Sequence, residues 1–139
     1  MLADARGRFL ADHEVALDTQ AKVYEGFTDL PRYLRYHTPP DYAGERRVRH
    51  QRALMDGVGA WMGEAVFGGL AGALRQHLTP PATVVRVSIP HEAQALLFRP
   101  FELAHLDGQS FAECGVRLVY QPLTLTPGPS PAEREGVKR

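Results

Sequence analysis

Cysteine is nearly absent: Cys114 is the single thiol in 139 residues. An internal disulfide is thereby excluded, as is any zinc site built from several cysteines. Lysine is almost as scarce, with 2 Lys against 14 Arg. So strong a preference points to a GC-rich bacterial gene, which is an argument from codons rather than from physics. Neither sign of charge is in excess, since 16 basic and 16 acidic residues give a formal net charge of +0. Proteins dedicated to nucleic acids or to membrane surfaces carry a basic excess, so neither partner is expected. No apolar run approaches the ~18 residues of a membrane-spanning helix. The opening Met1-Leu2-Ala3-Asp4-Ala5-Arg6 lacks the charged-then-apolar order of a signal peptide. These features together predict one soluble, cytoplasmic domain.

Catalytic signatures are missing too. No glycine-rich phosphate loop follows a strand, because Gly57-x-Gly59 and Gly68-Gly69 sit in helical context. There is no Gly-x-Ser-x-Gly elbow. Glu102 with His91 or His105 offers too few ligands for a metal, so no metal and no cofactor is expected. Glu102 is expected to satisfy its carboxylate on nearby backbone N–H groups.

Asp4-Ala5-Arg6-Gly7 predicts a turn. Phe9, Ala11, His13, Val15 and Leu17 alternate at period 2, which predicts a strand over 9–17 with no earlier strand to pair with. Asp29 is placed to cap a short helix with Pro31 in its first turn, ended by Thr38-Pro39-Pro40-Asp41. Tyr24, Phe27, Tyr33, Tyr36 and Tyr42 make this region aromatic-rich, as core and rim packing or as a stacking surface. The most regular element spans about Arg46 to His77. Leu54, Val58, Trp61, Met62, Ala65 and Val66 repeat at helical spacing, with Trp61 mid-stripe and expected to be buried. Gly57, Gly59 and Gly63 weaken that helix but let another backbone approach it. Gly68-Gly69 should break it, leaving Leu70 to His77 as a second helix. Glu45 to Arg52 is the one basic cluster, read as a solvated helix start or as a phosphate or acidic-partner site.

The stretch from Thr83 to Gln121 organises the rest. A β-branched run, Thr83 to Ile89, stops at Pro90, and a second short run, Val116 to Tyr120, follows a turn-rich middle that contains Asp107-Gly108. Between the runs lies Leu96-Leu97-Phe98-Arg99-Pro100-Phe101-Glu102-Leu103. This order of strand, proline, small helix, Pro-Phe-Glu-Leu box, Asp-Gly and strand resembles the N-terminal part of a CHAT domain, a family related to caspases and separases. The family's box carries Trp where this chain has Phe101. The helix with Gly63-Glu64-Ala65-Val66-Phe67 fits the one that precedes the box in the family. The resemblance covers roughly residues 50 to 121 and extends loosely over the first 45.

The resemblance implies an α/β fold: an incomplete, caspase-like domain over residues 1–121, followed by a Pro-rich tail over 122–139. That tail holds four prolines and no apolar period, so it is expected to be disordered. It also resembles the translated product of short interspersed bacterial DNA repeats. The family's catalytic His and Cys lie on later strands, beyond the end of this chain. The implied function is a catalytically inert fragment, not an enzyme, with no catalytic, metal or cofactor residue. The alternative is an interaction module that pairs through an exposed sheet edge with a chain carrying the rest of such a domain. A small nucleic-acid-binding protein using Arg46 to Arg52 and the tyrosines is the third reading. Cys114, with His105 nine residues earlier, is expected to be a small packing residue rather than a nucleophile.

Overall fold

The computed structural model describes residues 1–78 and 84–123. Helices and short strands mix, as expected for an α/β chain. β1 (Leu2–Ala3) pairs antiparallel with β2 (Phe9–Ala11) across the Asp4 to Gly7 turn. Asp4 Oδ1 accepts the N–H groups of Arg6 and Arg8, both at 2.9 Å, and Gly7 takes φ 81°. The expected long strand over 9–17 is corrected to three residues, and the partner thought to be missing is Leu2–Ala3. His13 breaks the alternation because it leaves the hairpin. Its ring packs on Gly69, and its Nε2 lies 3.1 Å from the Ala65 carbonyl.

Two short helices follow, α1 (Lys22–Thr28) and α2 (Leu30–His37). Asp29 between them caps α2 as anticipated, its carboxylate accepting the Arg32 N–H at 3.2 Å, with Pro31 in the first turn. α3 (Gly44–Ala65) is the long axis of the molecule. Val58 and Met62 are its fully buried members, and Leu54, Ala65 and Val66 are half-buried on the same face. Trp61 is partly buried and packs against the core. It sits at the edge of an aromatic cluster, edge-on to Tyr24 at 6.3 Å and Phe27 at 5.7 Å.

The break after α3 is real. A 3-10 turn at Gly68–Leu70 leads into α4 (Ala71–His77). β3 (Val84–Pro90) then runs parallel to β6 (Arg117–Leu123) in unbroken register from Val84↔Arg117 to Pro90↔Leu123. Between these two strands come a kinked 3-10 segment at His91–Phe98, a 3-10 turn at Phe101–Leu103 and a hairpin of β4 (His105–Leu106) and β5 (Gln109–Ser110). Asp107 and Gly108 turn that hairpin with φ 55° and 81°, the left-handed pair that two-residue hairpins favour. Pro122 and Leu123 still pair with Ile89 and Pro90. The expected disorder of the tail beyond them lies outside the described residues, as does Thr83 at the start of the anticipated strand.

The hairpin lies directly on α3. A side chain at Gly59 would collide with the Leu103 carbonyl and come within 2.9 Å of the His105 ring, and one at Gly63 would meet the His105 backbone. The close approach predicted from the helix glycines is therefore made at Gly59 and Gly63. Gly57 faces open space. The core joins the helices to the sheet through Phe27, Tyr33, Val58, Met62, Phe101, Phe111 and Val116.

Candidate functional site

The Arg99 to Leu103 box is where the helical layer meets the parallel strands. Phe101 is buried, with its ring 5.9 Å from Phe27, 6.1 Å from Phe67 and 6.3 Å from Tyr120. Arg99 turns inward. Its Nη1 donates to the Thr28 carbonyl at 2.7 Å, at the C-terminal end of α1 where carbonyls lack helical partners. Its guanidinium stands 5.3 Å from the Phe27 ring centre, within cation–π range, while its Nε is buried without a hydrogen-bond partner. One charged side chain thus ties the box to α1.

Glu102 does not satisfy backbone N–H groups as expected. The 3-10 turn points it outward, and its exposed carboxylate accepts the Tyr120 hydroxyl at 3.4 Å. Burial, the Glu102 charge and this bond, in that order, push the Tyr120 pKa from 10.0 up to about 12. Glu102, Tyr120, Arg99 and Phe98 line a hollow of ≈ 450 Å³ together with the Phe27 to Pro31 segment. Phe98 is 84% exposed at its margin.

Beside this hollow, the β3–β6 ladder has one half-buried and one exposed face. Val85, Val87 and Ile89 with Leu118 and Tyr120 point inward, and Val84, Arg86 and Ser88 with Arg117, Val119 and Gln121 point out. No third strand flanks either one among the described residues. Parallel sheets are normally covered on both faces and extended by further strands. Among the described residues this pair therefore has open edges, whose outward backbone groups find no ladder partner there.

The other candidates are dispersed. The Cys114 thiol, half-buried, donates weakly to Gln109 Oε1 at 3.6 Å. The His105 ring instead lies against α3, 3.9 Å from an Asp56 carboxylate oxygen. No hydrogen bond joins Cys114 to His105 among the described residues. His91 bonds Gln94 at 2.9 Å, and no cluster of three metal-type ligands occurs among the described residues. The basic run at the start of α3 separates: Arg46 covers the Tyr42 ring at 3.7 Å, and Arg47 faces α2 across a cleft. The sequence alone did not join Arg32 and Arg35 of α2 to Arg47. Their i, i+3 spacing was the available signal. Of the aromatic set, Phe27 and Tyr33 are core and Tyr36 is exposed. Among the described residues no helix is long and apolar enough to cross a membrane.

No protein-family model, no curated protein and no solved structure matches this chain.

Proposed function

We propose that this chain acts by association and has no peptidase chemistry of its own. A strand from another chain adds to the open edge of the β3–β6 ladder. The observation that carries this reading is a seven-residue parallel pair with no third strand beside it among the described residues. The CHAT-like order of strand, box and strand supports a partner that supplies further strands of a caspase-like sheet. Arg86 and Arg117 stand on the outer face without ion pairs among the described residues, alternating with Val84 and Val119 in cross-strand register. Such charges discourage indiscriminate edge pairing and favour a partner strand with carboxylates at matching positions.

The inert reading of Cys114 rests on its surroundings. Cysteine catalysis needs a thiolate within reach of a base, and here the thiol has an amide oxygen as its partner.

Light scattering over a concentration series tests the association, comparing wild type with a Val84→Lys/Val119→Lys variant. Mass should rise with concentration in the wild type and stay monomeric in the variant. A wild type that stays monomeric throughout, alone and with acidic strand peptides added, overturns the proposal.

A further inference from the structure

Three arginines without ion-pair partners among the described residues lie together in this fold. Arg32 and Arg35 stand one turn apart on α2, and Arg47 projects from the first turn of α3. All three are exposed, and none forms an ion pair among the described residues. With Tyr36, Thr38 and Pro40 they line a cleft of ≈ 580 Å³ that contains no acidic side chain. That volume falls within the range of small-molecule sites. Arg32 also borders a neighbouring hollow with Glu25 and Asp29. Those two acids have other partners: Asp29 accepts the Arg32 backbone N–H, and Glu25 lies 3.4 Å from His37.

Guanidinium groups converging on one cleft repel one another unless an anion lies between them. Their planar forks match phosphate oxygens two at a time. Tyr36 adds a second kind of surface. It is 81% exposed and meets only the His37 ring nearly at right angles, at 5.3 Å, among the described aromatic rings, so most of its surface can stack on a flat ligand. The Thr38 hydroxyl is already given to the Leu34 carbonyl, so it fixes the cleft floor rather than binding. A formal net charge of +0 favours a small ligand over a long polyanion.

We propose that this cleft binds the phosphate of a mononucleotide, with Arg32, Arg35 and Arg47 on the phosphate and Tyr36 stacked on the base. The site is independent of the sheet edge, so it stands or falls separately from strand association.

Calorimetric titration tests it with adenosine monophosphate, pyrophosphate, adenosine and a thymidine oligonucleotide, each at low and high salt. The monophosphate and pyrophosphate should bind, and adenosine should not. Arg32→Gln and Arg47→Gln should each weaken phosphate binding about tenfold or more. Tyr36→Ala should weaken the monophosphate and spare pyrophosphate. Arg6→Gln, in the exposed turn between β1 and β2, should leave phosphate binding unchanged. All four positions are exposed, so the variants should keep the wild-type melting temperature. The proposal is overturned if neither phosphate compound binds the folded protein. It is also overturned if the Arg32→Gln/Arg47→Gln double variant binds as wild type, or if only the oligonucleotide binds, with a steep loss in salt.

Discussion

Tyr120 shows how a single residue couples charge to the fold. Below pH 10.0 its hydroxyl is protonated in both folded and unfolded chains. Between 10.0 and about 12 only the folded chain keeps the proton. The unfolded state therefore binds fewer protons there, and stability falls as pH rises through that window. Tyr33 is shifted in the same direction by burial and by Glu25. Tyr120→Phe should flatten the alkaline loss of stability without abolishing it, as read from denaturation midpoints on either side of pH 10. An unchanged alkaline slope would show that the tyrosine is solvated and unlinked to Glu102. At Cys114 the expectation is simpler. Cys114→Ser should leave binding and stability near wild type, and Cys114-dependent cleavage of a peptide library would contradict the inert reading.

At the scale of elements, α3 and the hairpin it carries hold the molecule together. Met62 is fully buried, so Met62→Ala should cost about 2–5 kcal/mol by urea unfolding. Trp61→Ala should cost less, since its ring is partly in water. The reverse order would misplace the buried face. Gly59→Ala inserts a methyl into the Leu103 carbonyl and should destabilise by about 1–3 kcal/mol. The same change at Gly57, open to solvent and inside a helix, should stabilise slightly. Most of these elements were legible in the sequence. Asp29 with Pro31, the helical stripe, Gly68-Gly69 and Asp107-Gly108 are all local signals that contacts elsewhere do not override. The N-terminal strand was drawn too long because alternation continues to Leu17, whereas His13 is claimed by Gly69 and Ala65 of another element. The box from Arg99 to Leu103 has no period, so the inward turn of Arg99 toward Thr28 and the outward turn of Glu102 toward Tyr120 were not readable. Both depend on neighbours at least 18 residues away. The arginine cleft was hidden because Arg32 and Arg35 meet Arg47 only once the chain turns from α2 into α3.

Taken whole, the described residues form a helical layer fastened to a small parallel sheet. The parallel register was not evident from two β-branched runs alone, because a strand's sequence does not state its direction. The open edges rest on the lack of a third strand among the described residues, and the proposed association follows from the edges. Hydrogen–deuterium exchange at the backbone amides of Val84–Ile89 and Arg117–Gln121 tests this account most directly. In dilute protein, alternate amides of the two strands should exchange fast, because only those inside the ladder are bonded. At high concentration, or with an acidic strand peptide added, the fast set on one edge should become protected. Protection of every amide in the dilute monomer would mean that the edges are already covered, and would contradict the proposal.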